Sequence, residues 1–420
     1  MAASNRLGVD WHFEDTWLGR LAELVRERPN SVGLVLVTAL ATSVYFVTTS
    51  PERSSFDYFI RLADAFLHGR IYLTEAPSWL NELIPRDGVW YVAYPPMPAV
   101  VLLPFVAIFG DEFPQQMASV LFGGLSVGLV WLVLDRFALA LRVRFMLTTV
   151  FAFGTVMWYV TEVGSAWYFA HVVAVLFSLA AVLLVLHGRW PFAVGLLLGC
   201  AALARLPVGL SAPFFAALIA GLGWPPRLPA DRLAAGARVA AFGIGLAIPA
   251  GLYLLYNFAR WGTFVDQGYV LIPGVLEDPI YAEHGILAID YIPRHLYAIF
   301  LRSWNYVDQA PFLQPSWWGL SVFLTTPLLA WIVHARWRDP RVAWAAIGAG
   351  LALIPVVTHG NVGIQQFGYR FSLDVQPLLF VMLATAFERG MSRWATIAGL
   401  ASIVICAYAI WAIGIGFVAY

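Results

Sequence analysis

Long apolar runs, separated by short loops that carry arginine, are the feature that most restricts how this chain can fold. Eleven runs approach the length that crosses a hydrocarbon core of about 30 Å. They cover residues 31–49, 117–135, 146–162, 168–186, 192–206, 207–224, 239–258, 318–334, 342–358, 373–387 and 394–416. With 60% hydrophobic and only 12% charged residues, the chain cannot cover itself with polar surface as a soluble domain does. The sequence therefore predicts an all-α membrane protein with about eleven transmembrane helices.

The apolar run 95–109 is not counted among these spans. It opens with Tyr94-Pro95-Pro96-Met97-Pro98 and has Pro104 in its middle, and proline disrupts a helix interior. We expect a short helix that lies at the membrane interface or re-enters the membrane from one side.

Arginine placement predicts the orientation. With a cytoplasmic N-terminus and alternating spans, 16 of the 25 basic residues, all of them arginine, fall in cytoplasmic segments, and 16 of the 25 acidic residues fall outside. This matches the positive-inside rule. Counting 95–109 as a span would move the arginine-rich loops 136–144 and 227–238 outside, which disfavours it.

The resulting domain organisation is simple. Residues 1–30 are predicted to be a cytoplasmic segment without signal-peptide features, and 31–420 a single polytopic transmembrane domain. Its long external loops, 50–116 and 259–317, are rich in acids, aromatics and prolines, and function is expected there. A net charge of zero gives no support to a nucleic-acid partner. No cofactor is predicted, and no Cys/His spacing indicates a metal site. A divalent metal stays an alternative only at Glu162 and His171, whose spacing is a poor metal signature.

The first external loop contains an amphipathic pattern. Phe56, Phe59, Ile60, Ala63 and Leu67 repeat at helical spacing, and Gly69 is placed to end the helix. The opposite face carries a polar stripe: Asp57, Arg61, Asp64 and His68. The stripe is either a solvated face with weak ion pairs, or it holds Asp57 at a membrane-level cavity as a general base.

These residues also resemble a known superfamily. An acid just after the first span, a surface helix, and Pro95-Pro96 opening the next apolar stretch resemble the GT-C glycosyltransferases, in particular the branch of protein O-mannosyltransferases and the aminoarabinose transferase (family 39-like). The resemblance extends to three further segments: 195–207, 257–263 and 366–374. It implies a GT-C-like bundle with interfacial helices in the first external loop, a polyprenyl-phosphate sugar donor, external catalysis and inversion. Asp57 stands alone where the branch often has Asp-Glu, so either Asp57 or Asp64 is the predicted catalytic carboxylate.

Three arginines are predicted at external span ends: Arg205, Arg260 and Arg370. An arginine at this depth is costly unless it is paired, and its planar fork suits phosphate. We therefore predict that they bind the donor phosphate. The alternative is that each extends to water or pairs with an acid such as Asp374.

Four further residues are predicted to contact the acceptor or the donor sugar. They are Tyr94, Glu162, His171 and Tyr369. Tyr94 stands where the resembling branch has a lysine before Pro-Pro, which removes one expected phosphate contact.

Together these observations predict a glycosyltransferase of the bacterial plasma membrane. It would move a hexose or pentose from a polyprenyl-phosphate donor to a glycan, lipid or protein acceptor on the external face. The principal alternative is a lipid or solute transporter or flippase. That class requires charged residues along a path through several spans, whereas the polar residues here collect at one face.

Overall fold

The computed structural model describes residues 27–50 and 52–418, which are mostly helical. The predicted N-terminal segment 1–30 lies outside the described residues except for its last four. The α-helices, in chain order, are α1 Pro29–Thr48, α2 Tyr58–Leu67, α3 Met97–Phe109, α4 Gln115–Leu134, α5 Leu141–Phe153, α6 Met157–Val163, α7 Ala166–Leu186, α8 Pro191–Ala202, α9 Ala212–Ala220, α10 Arg232–Trp261, α11 Ile292–Phe300, α12 Val322–Thr325, α13 Pro340–Val357, α14 Gln376–Ala386 and α15 Arg393–Gly414. Short 3₁₀ helices cover Leu206–Ser211, Ile289–Tyr291, Pro327–His334 and Arg370–Asp374.

All eleven predicted runs contain helix, and the predicted all-α membrane fold is confirmed. Within the described residues, six helices are long and apolar enough to cross a membrane: α1, α4, α7, α10, α13 and α15. A seventh span forms if α5 and α6, bent by 44°, are taken together. The runs 192–206, 207–224, 318–334 and 373–387 give shorter or interrupted helices, with Pro207 and Pro327 opening 3₁₀ turns. Proline favours such breaks because it has no N–H to donate.

The exterior of the bundle is apolar. Long side chains on α1 are largely exposed, including Val35, Phe46 and Val47. One large core cluster runs from Val37 to Ala409 and joins most helices. An apolar surface around an apolar core is the arrangement expected of a bundle that faces lipid.

The predicted external loop 50–116 holds the predicted amphipathic helix and a β-hairpin. In α2, Tyr58, Phe59 and Ile60 are buried, whereas Leu67, predicted on the apolar face, is 45% exposed. Strands β1 (Leu83–Arg86) and β2 (Val89–Val92) pair antiparallel, with Leu83 opposite Val92. The run 95–109 forms the predicted short helix, α3, with Pro104 inside it.

The predicted external loop 259–317 is hydrogen-bonded to the turn that follows α13. The Ala288 N–H donates to the Thr358 carbonyl at 2.8 Å, and the Gly360 N–H donates to the Ile286 carbonyl at 2.9 Å. A small hairpin in the same segment pairs β3 (Asn305–Tyr306) with β4 (Leu313–Gln314). The two backbone bonds fix the position of residues 286–288 over the end of α13.

Candidate active site

A cavity of about 480 Å³ lies where the predicted external ends of several spans meet both external segments. It is lined by Phe59, Ala93, Tyr94, Pro95, Ala166, Trp167, Ala170, Ala204, Arg205, Leu206, Pro207, Leu210, Asp266, Tyr269, Ile286, Leu287, Pro355, Val356, His359, Asn361, Arg370 and Phe371. The lining is mostly apolar, with two arginines and one carboxylate. Such a wall suits a ligand with a long apolar part and a compact anionic group.

Arg370 is the most unusual charge in this wall. Its side chain is buried, Nη1 donates to the Ile364 carbonyl at 2.8 Å, and Nε has no partner. The guanidinium carbon lies 5.2 Å from the Tyr168 ring centre. No carboxylate in the described part of the chain comes within ion-pair distance of it. A buried cation without an ion pair is costly, and an anionic ligand relieves the cost.

Arg205, by contrast, has a carboxylate partner. Its Nη2 and Nε donate to the two Asp374 oxygens at 2.8 and 3.1 Å. The same carboxylate lies 2.9 Å from Nδ1 of His171, which is fully buried. Asp374 therefore neutralises much of the charge of Arg205 and fixes the direction of its fork.

Phe371 brings the two cavity arginines to one place. The guanidinium carbons of Arg205 and Arg370 lie 5.2 and 5.1 Å from the centre of this one ring. Both arginines also line the cavity, so the structure brings these two predicted residues to the same wall.

Arg260 is placed differently from the prediction. It does not line the cavity: its guanidinium donates to the Val92 carbonyl at 2.7 Å and to Asn257 Oδ1 at 2.8 Å, and it lies 4.0 Å from the Tyr256 ring centre. These contacts join the end of α10 to the first external hairpin. Arg260 therefore has a packing role in the structure, because its guanidinium is already hydrogen-bonded to a backbone carbonyl.

The predicted catalytic carboxylates also lie outside the cavity lining. Asp57 is buried and accepts from Arg53 Nη2 at 2.8 Å and from Arg61 Nε at 2.9 Å. Asp64 lies farther along α2 and pairs with His68 at 3.4 Å. The predicted shared cleft of Asp57 with all three arginines is therefore not formed. Asp57 nevertheless adjoins the wall, since the neighbouring Phe56 ring packs 4.7 Å from that of Trp167.

The four predicted sugar or acceptor contacts are split in the same way. Tyr94 lines the cavity, and its hydroxyl accepts from Trp167 Nε1 at 2.6 Å. His171 lies behind the wall, next to Asp374. Tyr369 is buried, with its hydroxyl donating to His295 Nδ1 at 2.7 Å. Glu162 is at the end of α6 and is not part of the lining.

Glu82 is a site residue that the sequence analysis did not identify. Its Oε2 accepts from Trp167 Nε1 at 2.8 Å, so one indole N–H connects it to Tyr94 in the cavity wall. Burial raises the pKa of Glu82 to about 7, while the Trp167 bond and the charge of Arg370 act in the opposite direction. A carboxyl that titrates near neutrality at a cavity is a candidate for proton transfer.

Asp266 is the single carboxylate in the described cavity lining. It accepts from the Tyr253 hydroxyl at 2.8 Å and from the Gly268 N–H at 2.9 Å, and Arg260 lies 3.9 Å away. Within residues 27–50 and 52–418, no group of three His, Cys, Asp or Glu side chains is arranged to hold a metal ion.

Comparison with solved structures identifies the fold. The chain matches the crystal structure of ArnT from Cupriavidus metallidurans bound to undecaprenyl phosphate, with a TM-score of 0.52 and 15% identity over 89% of this chain and 63% of that one. The apo state of the same protein gives a TM-score of 0.49 at 17% identity, over 85% and 60%. The S. cerevisiae protein O-mannosyltransferase Pmt1-Pmt2 complex gives 0.39 at 13% identity, over 65% and 38%.

At 15% identity the first match shows the fold alone, and it confirms the predicted polytopic helical fold. The chain spans under two thirds of the length of the ArnT structure. No family model and no curated protein sequence matches the chain.

Proposed function

We propose that the protein is a membrane glycosyltransferase that moves a sugar from a polyprenyl-phosphate donor to an acceptor. The observation that carries this proposal is Arg370, a buried cation in a cavity wall with no ion-pair partner among the described residues. A lipid phosphate supplies the missing anion. The ArnT structure of the same fold holds undecaprenyl phosphate, which belongs to this ligand class.

The apolar wall supports a lipid-linked donor. Leu206, Pro207 and Leu210 on one side, with Pro355 and Val356 on the other, surround the region next to the arginines. A prenyl chain packs against such residues without leaving an apolar environment, while its phosphate stays at the guanidinium groups.

The transfer balances as follows. The acceptor oxygen bonds to the anomeric carbon as the bond from that carbon to the phosphate oxygen breaks, and prenyl phosphate leaves with the electron pair. Negative charge grows on the phosphate as this bond breaks. Arg370 and Arg205 stabilise that charge, which lowers the activation barrier. The acceptor's proton passes to a carboxylate.

Four carboxylates are candidates for that proton, and single substitutions distinguish them. Asp57 and Asp64 are the candidates from sequence, whereas Glu82 and Asp266 are those that the geometry adds. Each is replaced singly by its amide, with Glu75, an exposed acid of the same loop, as the control. The base is the position where turnover falls by at least about 100-fold while binding of undecaprenyl phosphate is kept.

The proposed setting is the bacterial plasma membrane, with a cytoplasmic N-terminus and an external active face. The predicted external loops 50–116 and 259–317 both contribute to the cavity, so the two loops lie on the same side of the bundle. A glycan, a lipid or a protein exposed on that side is the proposed acceptor, and a hexose or a pentose the proposed sugar.

The test uses the purified chain in nanodiscs with a panel of radiolabelled prenyl-phospho sugars and envelope extract as acceptor. We expect acceptor-dependent release of prenyl phosphate from one donor, and a loss of at least about 100-fold in Arg370→Gln. Lipid flipping or solute uptake without sugar release contradicts the proposal and favours a transporter.

A further inference from the structure

His359 lies in the cavity wall just after α13 and has no part in the chemistry described above. Its backbone is fixed on both sides, because Thr358 and Gly360 each form a backbone hydrogen bond with the segment 286–288 of the second external loop. Its ring meets the edges of Tyr269 and Tyr281, with centroid distances of 5.2 and 5.7 Å. The imidazole is therefore held in one orientation.

The hydrogen bonds of the ring define its tautomer. Nδ1 lies 3.0 Å from the backbone N–H of Asn361, which can only donate, whereas the Asn361 carbonyl is farther away at 3.3 Å. Nδ1 therefore accepts, and the proton of the neutral ring is on Nε2. Within the described residues, Nε2 has no hydrogen-bond partner.

The ring is also held neutral. Burial lowers the pKa of His359 to about 4, and Arg205, His295 and Arg294 lower it further, while the Asn361 carbonyl, 3.3 Å from Nδ1, acts in the opposite direction. At neutral pH the side chain is thus an uncharged donor. It cannot accept the proton of an acceptor hydroxyl, since Nδ1 is occupied and Nε2 already carries hydrogen.

His295 provides a comparison within the same cluster. Its Nδ1 accepts from the Tyr369 hydroxyl at 2.7 Å, and its Nε2 donates to the His359 carbonyl at 2.8 Å. Both nitrogens are satisfied by protein, as is usual for a buried histidine. His359 differs because its donor nitrogen is left for a group that enters the cavity.

We propose that the Nε2–H of His359 donates a hydrogen bond to an oxygen of the donor lipid's head group, next to the anion site of Arg205 and Arg370. This rests on the proposed function and adds a neutral, oriented donor to the two cations. The oxygen belongs either to the phosphate or to a sugar hydroxyl, and both accept the same bond. His359 is thus a binding and positioning residue for the donor.

Replacing His359 with glutamine or with asparagine tests this hydrogen bond, because the two side chains place their amide nitrogen at different positions of the imidazole ring. In His359→Gln the amide nitrogen is placed near the position of Nε2, whereas in His359→Asn it is placed near that of Nδ1. We expect affinity for the donor to fall about tenfold in His359→Ala and His359→Asn and to stay within about threefold in His359→Gln. His284→Gln, in the second external loop, is the matched control and should bind like wild type.

Two probes separate the sources of the oxygen: undecaprenyl phosphate alone and the sugar-linked lipid, each titrated in nanodiscs. A loss with both probes assigns the phosphate oxygen, and a loss with the sugar-linked lipid alone assigns a sugar hydroxyl. If wild type binds the donor lipid and the Gln and Asn variants bind it with equal affinity, the inference is wrong. Absence of wild-type binding to either probe overturns the proposed function itself.

If His359→Gln does not fold, a spectroscopic measurement on wild type tests the proposed hydrogen bond. The ¹⁵N resonance of Nε2 in histidine-labelled wild-type protein should shift when undecaprenyl phosphate or the sugar-linked lipid is added. The Nε2 resonance is assigned by its loss in His359→Ala. An unchanged Nε2 resonance with both bound lipids contradicts the proposed hydrogen bond.

Discussion

At the scale of single residues, three arginines that look alike in the sequence have three different surroundings. Arg260 is bound by a carbonyl and an amide, Arg205 by a carboxylate, and Arg370 has no ion pair within the described residues. The cost of a buried charge depends on such partners. We therefore propose that the ligand phosphate binds chiefly at Arg370, with Arg205 as a partly neutralised second donor.

The Arg205–Asp374 pair allows a stability prediction. Arg205→Met leaves Asp374 buried without its guanidinium, which should lower the free energy of unfolding by about 3 kcal/mol. Adding Asp374→Asn removes the unpaired charge and should recover most of the loss. Arg336→Met, which breaks a pair whose arginine is 60% exposed, is the control and should cost less than about 1 kcal/mol. Thermal unfolding in detergent compares the stability of all four proteins. If the double variant is no more stable than Arg205→Met, the result contradicts the pairing of Arg205 with Asp374.

Glu82 predicts a dependence of stability on pH. Its pKa rises from 4.5 to about 7 on folding, so between these values the unfolded chain is ionised and the folded one keeps its proton. Stability contributed by Glu82 is therefore complete below pH 4.5 and is lost as pH rises to about 7. Glu82→Gln keeps an acceptor for Trp167 but removes the titration.

We expect the Tm of Glu82→Gln, relative to wild type, to increase from pH 4.5 to about 7 and to be constant above that. The exposed Glu75→Gln is the control. A Tm difference that does not change with pH would show that Glu82 is ionised in the folded protein.

At the scale of elements, the close packing of α8 against α10 positions one cavity arginine, Arg205, and Arg260, which lies outside the cavity lining. A Cβ on Gly195 would be 2.0 Å from the Phe242 carbonyl oxygen, and one on Gly245 would be 2.0 Å from that of Phe192. Small residues allow the two backbones to approach this closely. Arg205 follows α8 and Arg260 ends α10, so the contact positions both.

Substitutions on α10 test this contact. Gly245→Ala should destabilise the protein by about 1–3 kcal/mol through overpacking. Gly243→Ala, on the same helix with open space around it, should be neutral or slightly stabilising, because alanine favours helix. Thermal unfolding compares them, and equal effects of the two changes would rule out the close approach.

The helices and strands could be predicted from the sequence where they depend on a local sequence pattern. The apolar runs gave helices because their hydropathy and length are local properties. The hairpin β1–β2 was missed, although Asp87-Gly88, with φ of 52° and 79°, is a turn signal of the kind found in two-residue hairpins. The helix breaks at Pro207 and Pro327 shorten predicted spans. A hydropathy average over a window of residues does not detect such breaks.

At the scale of the whole molecule, the cavity forms where distant segments meet, which limits what the sequence could predict. Arg205 and Arg370 were identified because a cation at a span end is conspicuous. Glu82 was not, since its link to the site is Trp167, 85 residues away. Likewise the contact of Arg260 with Val92 spans 168 residues, and no local pattern encodes it.

The predicted orientation can be tested on intact cells with a membrane-impermeant maleimide. In a background with Cys200 and Cys406 replaced by alanine, Glu283→Cys should be labelled from outside. Arg338→Cys should be labelled only after permeabilisation. Both parent side chains are exposed, so accessibility does not limit the reaction. The reverse pattern would place the cavity on the cytoplasmic side.

The most direct test of the central claim is a cryo-electron microscopy structure with undecaprenyl phosphate bound. The account predicts a phosphate oxygen within about 3.2 Å of an Arg370 guanidinium nitrogen, beside Phe371, with the prenyl chain along Leu206 and Leu210. A head group bound elsewhere, with Arg370 in contact only with protein, would contradict it.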